Sequence, residues 1–260
     1  MTEEPYRWVE AIANRREYIE HQLAGGSPIA ALSYEDGILF LTLSRERQKI
    51  FEIYDRIAMG AIGHPGDIER LRMAAIEVAS TEGFTRSTAD VSLRRLASYS
   101  LSPALKTAFE QIYGPPYLAR ILFAELGREG ARNLFMRLDY DGSMHTNGSS
   151  HLRTFEDFGV LSGTANSTKA MEKFLREKLE VKASLSTALD LAINAWAVGH
   201  LALGEEYSEE LPKADKIATH RTEQLENFTI EAAVLERRAR LPITYRALGN
   251  RDLEGFQPAS

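Results

Sequence analysis

Strand-like stretches fall in groups along this chain, and pairs of helical stretches stand between the groups. The order reads helix, four strands, two helices, strands, two helices, strands. A parallel sheet needs a crossover helix between each strand and the next, so grouped strands argue for antiparallel sheets layered with helices. Two sheets packed face to face, with a helix pair on either side, would bury every apolar stripe in the sequence. The 260 residues show no internal repeat and no compositional break, as expected of one domain.

The spacing predicts an amphipathic helix over residues 7–23. Trp8, Ile12, Ile19 and Leu23 share one stripe, while Glu10, Asn14, Glu17 and His21 face elsewhere. Pro5 suits its start and Gly25-Gly26 its stop. So short a helix is marginal alone, and its stripe must dock on something. "GGSPIAALSYEDGILFLTL" then reads as two strands joined at Asp36-Gly37, a pair suited to the positive φ values of a type I′ turn. "QKIFEIYD" and "RIAMGAIG" follow as antiparallel neighbours.

In the next helix, Ile68, Leu71, Ala75 and Val78 make the core face. Its partner contains Pro103, which should kink or break it by deleting a backbone hydrogen bond. Strands are predicted in "YLARILFAELG", "NLFMRLDYDGSM" and "FEDFGVLSG". Two helices come after them, the first turning Met171, Phe174, Leu175 and Leu179 inward. Polar Glu205 to Asn227 reads as an exposed connection, partly helical, before the strands "FTIEAAVLE" and "PITYRAL" and a loose tail.

Composition narrows the chemistry. A net charge of −6 with no long basic run argues against nucleic acid or an anionic membrane as partner. The absence of cysteine removes disulfides, thiol nucleophiles and thiolate metal sites, and fits a reducing cytoplasm. Glu3 and Glu4 have the wrong sign for a secretion signal, and "DLAINAWAVGHLALG" is too short and too polar to span a membrane. None of the six histidines sits at ligand spacing; His145 and His151 flank a turn-rich stretch without a carboxylate pattern. Asp139 and Asp141 are accounted for by turn chemistry. There is no phosphate-cradling loop and no G-x-S-x-G, so neither metal nor cofactor is expected.

Four stretches in this order, "ALSYEDGILF", "QKIFEIYDRIAMGAIG", "IERLRMAAIEVASTEGF" and "LFMRLDYDG", carry a resemblance. From about Tyr6 to Leu248 the chain resembles α-type subunits of the proteasome core particle, most closely the bacterial ones that work with pupylation. The resemblance implies an α+β fold, a four-layer αββα sandwich of antiparallel sheets (the N-terminal-nucleophile hydrolase fold) with an N-terminal amphipathic helix. It divides the chain into a flexible gate segment 1–6, a single domain 7–248 and a flexible tail 249–260. It also implies seven-membered rings that cap inner rings of proteolytic β subunits. Pro103 and the charged Glu205 to Asn227 stretch depart from the pattern.

Catalytic members of that fold use the first residue of the first strand as nucleophile and its own free amine as base. The resemblance puts Ser27 there, behind Gly26. Pro28 constrains Ser27 toward extended conformations, the helper carboxylate's position holds Leu43, and a well-formed helix precedes it. A strand-start serine is the better reading, and no catalytic residue is expected. The alternatives are a self-processing peptidase using Ser27 and a ring-forming paralogue without a β partner. The resemblance assigns Lys49, Gly63 and His64 to a pocket that receives the C-terminal carboxylate of a ring-shaped ATPase unfoldase or an ATP-independent activator. It assigns Met1, Thr2, Glu3, Glu4, Pro5 and Tyr6 to a gate over the axial pore, and the Trp8, Ile12, Ile19, Leu23 helix to packing at the ring face.

Overall fold

A computed structural model describes residues 4–45, 47–128, 131–146, 156–204, 210–237 and 244–256, with the backbone alone at 4–6. Among the described residues, strands β1 (Ile29–Tyr34), β2 (Gly37–Ser44), β8 (Phe158–Leu161), β9 (Thr229–Glu236) and β10 (Tyr245–Ala247) form one antiparallel sheet, in the order β10-β9-β2-β1-β8. Strands β3 (Ile50–Tyr54), β4 (Ile57–Gly63), β5 (Ala119–Glu125), β6 (Leu134–Leu138) and β7 (Met144–Thr146) form the other, in sequence order.

Successive side chains of each strand point to opposite faces of its sheet, and this defines the layers. Ile29 and Ala31 of β1, with Ile38 and Phe40 of β2, meet Ala58, Ile62, Leu122 and Ala124 of the second sheet. Their neighbours Ala30, Leu32, Leu39 and Leu41 face the other way, against Met171, Leu175, Ile193 and Trp196 of α5 (Ala165–Lys178) and α6 (Leu185–Leu201). The outer face of the second sheet packs Met59, Ala61, Ile121 and Phe123 on α2 (Pro65–Thr85), α3 (Leu93–Leu96) and α4 (Ser102–Glu110). The four-layer sandwich is therefore as expected, and β1 and β2 are buried throughout because both of their faces are covered.

Pro103 does not break its helix. Five residues of π-helix, Ala97–Leu101, join α3 to α4, and the Ser102 N–H reaches back to the Ala97 carbonyl. The widened turn puts Pro103 in the first turn of α4, where a missing N–H costs little. In α2, Leu71, Ala75 and Ala79 are buried, while Ile68 and Val78 are only partly so, a small rotation of the predicted stripe.

Other expectations are corrected. Tyr34 pairs with Gly37, so the first hairpin turns on Glu35 and Asp36, not Asp36-Gly37. None of these three residues has a positive φ, which excludes type I′. Gly37 is instead demanded by crowding, because a Cβ there would lie 1.8 Å from the Leu235 carbonyl oxygen of β9. Helix α1 spans Glu4–Leu23, so Glu4, Pro5 and Tyr6 of the expected gate are helical, and Met1, Thr2 and Glu3 lie outside the described residues.

Of the α1 stripe, Ile19 and Leu23 are buried, Ile12 is partly buried and Trp8 is 48% exposed. The tail is not loose as far as Phe256. Leu253 is buried, and Asp252 accepts from the Gly249 N–H and from Arg246, both at 3.0 Å; residues 257–260 are outside the described set. The connection after α6 contains α7 (Ala214–Leu225), whose Ile217 is buried against the outer helices; residues 205–209, like His151, are not described.

Candidate functional site

Ser27 stands two residues before β1, at the end where α1 meets the sandwich. Its hydroxyl donates to the Leu43 carbonyl at 2.9 Å and accepts from the Trp196 indole N–H at 3.1 Å. A nucleophilic serine must pass its proton to a base. This proton rests on a peptide carbonyl, and the Leu43 side chain is apolar and fully buried. The chain before Ser27 is tied in. The Gly26 N–H donates to the Leu23 carbonyl at 2.8 Å, and the Gly26 carbonyl accepts from Gly163 at 3.2 Å.

Behind Ser27 lies a polar cluster that sequence reasoning did not find. Trp196 stacks on His200, four residues on along α6, with ring centroids 4.6 Å apart. His200 Nδ1 and His220 Nε2 of α7 share a hydrogen bond of 2.9 Å. Burial first, then the charges of His220 and Lys49, depress the His200 pKa to about 4. Trp196 and His200 stand at i and i+4 in "AWAVGH", the spacing that lets helix neighbours stack, and this was the available signal.

Lys49 precedes β3, half-buried. Its N–H donates to both carboxylate oxygens of Glu231 at 2.9 and 3.0 Å, and the Ile50 N–H donates to the first of them at 2.7 Å. Burial lowers the pKa of the Lys49 ammonium, with the Glu231 charge pulling it back up; burial likewise raises that of Glu231. A cavity of about 420 Å³ opens beside them, lined by Gln48, Ile50, Glu231, Tyr245 and Leu248 among others. No spacing could have pointed to Glu231, which the fold brings in from the other sheet.

The Lys49 carbonyl accepts from the Ala61 N–H at 3.0 Å, so Lys49 and Gly63 lie near the same end of the second sheet. Lys49, Gly63 and His64 are none of them among the residues lining that cavity. Gly63 and His64 have local roles. Gly63 has φ +127° and leaves no room for a Cβ, which would fall 2.0 Å from the Leu118 carbonyl oxygen. The His64 carbonyl accepts the Asp67 and Ile68 N–H groups that begin α2, both at 3.0 Å. Asp139 and Asp141 hold turn and ion-pair contacts: Asp141 accepts from the Ser143 N–H and from Arg16, both at 3.0 Å.

Among the described residues there is no group of three or more histidines and carboxylates able to hold a metal. Nor is any described helix long and apolar enough to cross a membrane.

A family model described as "Proteasome subunit" matches residues 25–201. Curated relatives named "Proteasome subunit alpha" are similar over most of the chain. One from a Nocardioides species is 33% identical over 193 residues, 74% of this chain and 70% of its own length. One from Actinosynnema mirum is 31% identical over 230 residues, covering 88% and 77%. One from Mycolicibacterium vanbaalenii is 32% identical over 195 residues, covering 73% and 71%.

Proposed function

The chain belongs to the proteasome subunit family as an α-type member, and on that premise we propose that it is a non-catalytic, gating and docking component of the core particle. It forms the outer seven-membered ring on β-subunit rings in the cytoplasm, governs substrate access with its N-terminus, and offers pockets to an ATPase unfoldase or another activator in a pupylation-linked pathway. The observation that carries the non-catalytic reading is Ser27. Its hydroxyl is held between the Leu43 carbonyl and the Trp196 indole, and the Leu43 side chain beside it is apolar and fully buried. The deciding experiment is the intact mass of the denatured subunit after co-expression with its β partner. A mass that retains the segment through Gly26 is expected. A mass beginning at Ser27 would make Ser27 a candidate nucleophile and reverse the assignment.

The docking role falls to Lys49. A half-buried ammonium that has lost hydration gains from a partner's carboxylate, and a flexible point charge suits a chain terminus. Gly63 and His64 would shape the rim from the end of β4. Replacing Lys49 with Ala is expected to weaken activator-stimulated degradation by about tenfold, the scale of one charge-assisted contact. Peptide hydrolysis by a particle with its gate removed should not change. Undiminished stimulation would remove Lys49 from the docking site. The exposed Trp8 and Val9 of α1 support the packing of this helix against a ring neighbour.

A further inference from the structure

Glu231 reaches Lys49 from the opposite sheet. It lies on β9, where its backbone partner is Thr42 of β2. One carboxylate oxygen accepts from the Lys49 and Ile50 N–H groups at 2.9 and 2.7 Å, and the other accepts from Lys49 at 3.0 Å. Both oxygens act as acceptors, an arrangement that holds the ionised carboxylate. Burial raises its pKa, while these hydrogen bonds and the Lys49 charge draw it back. Among the described residues the Lys49 ammonium makes no hydrogen bond and no ion pair, and feels the Glu231 charge only at a distance. A cation without a direct partner thus stands beside a fixed anion.

The cavity next to them divides in the same way. Arg45, Arg47 and Gln48 line it from the connection between β2 and β3, and Glu231 and Tyr245 line it from β9 and β10. Burial, then the charges of Glu231 and Glu52, push the Tyr245 hydroxyl up to about 12, so it stays neutral. Among the described residues lining this cavity, Glu231 carries the one carboxylate. A partner's terminal carboxylate that approaches Lys49 is attracted by the ammonium and repelled by Glu231. In a partly desolvated site, that repulsion is felt over several ångströms.

We propose that Glu231 is a competing anion built into the docking site. It holds the Lys49 segment in place and, by repulsion, keeps the affinity for a terminal carboxylate low enough for the partner to leave. The proposal rests on the docking role given to Lys49 above. The two effects of Glu231 have opposite signs on removal. A residue that only held the segment would weaken docking when its charge is lost, whereas a competing anion strengthens it.

The test uses the core particle assembled with its β partner. The probe is a pool of acetylated tripeptides with free C-terminal carboxylates, and the same pool amidated is the control. Occupancy is read as protection of Lys49 from acetic anhydride, by mass spectrometry of the digested subunit. Each particle is compared with its own unprotected rate, so a change in amine reactivity cancels. The free-acid pool is expected to protect Lys49 and the amidated pool to leave it reactive. Glu231→Gln keeps a carbonyl oxygen for the two N–H donors, and half-protection should then need about fivefold less of the free-acid pool. Glu231→Thr serves, with the same expected direction, if Glu231→Gln does not assemble. Half-protection at an equal or higher concentration in the variant would overturn the proposal and leave Lys49 as the docking residue. No difference between the two pools in either particle would remove Lys49 from docking, and this proposal with it.

Discussion

Removing Thr2 to Tyr6 is expected to raise peptide hydrolysis by the assembled particle about tenfold, equivalent to lowering the barrier to passage by about 1.4 kcal/mol. The deletion takes the first turn of α1, Glu4 to Tyr6, together with the residues before it. It leaves in place the contacts that the described side chains of the helix make. Ile12, Ile19 and Leu23 pack with Phe109 and Tyr140, and Arg15, Arg16 and Glu20 keep their partners. Terminal helical residues outside a packed face contribute little to stability, so particle yield and melting temperature should stay the same. The readout is the steady-state rate on a short peptide, compared with that on an unfolded protein whose passage the gate should restrict more severely. Equal rates in the full-length and truncated particles would show that this segment does not obstruct the pore.

Gly37→Ala should be the most damaging of single-methyl additions to the first sheet, costing about 3 kcal/mol or more. The added carbon would meet the Leu235 carbonyl oxygen at 1.8 Å and the Leu235 carbonyl carbon at 2.9 Å. Both belong to backbone, so no side chain can rotate aside. Relief requires β2 and β9 to part at the Gly37–Glu236 pair, the end of an eight-residue ladder that holds the centre of the sheet. Gly25→Ala is the matched control, because a Cβ added there would meet nothing within 4 Å. Denaturant unfolding of the two variants should separate them clearly. A Gly37→Ala protein as stable as the control would mean that β2 and β9 part at the Gly37–Glu236 pair without loss of stability.

The first hairpin turn shows where local reading ends. Asp-Gly between apolar runs is a real hairpin signal, and a hairpin forms there. The register is decided by β9, almost two hundred residues later, whose carbonyl excludes any residue but glycine at the first position of β2. Pro103 is a similar case. The missing N–H is legible in the sequence, but the π-helical stretch that absorbs it depends on Ala97 and Leu101 fitting beneath the second sheet. The helix start differs from its expected place because periodicity becomes visible only at the first docked residues, whereas the backbone is already helical at Glu4.

The sequence alone determined the layering. Grouped strands, doubly covered apolar runs and paired amphipathic helices admit few arrangements, and the resemblance of four stretches in order points to the family. Through that resemblance it also put Leu43 at the position where catalytic members of the fold carry a helper carboxylate. Tertiary structure alone decided the polar groupings: Ser27 with Trp196, Lys49 with Glu231, and Arg120 with Glu20 and Asp139. Their members are separated by up to 182 residues and come from different layers. Periodicity reports which face of an element is buried, because burial repeats with the backbone's own period. It carries no information about which polar side chain from a distant element will meet another, because that depends on how the layers stack.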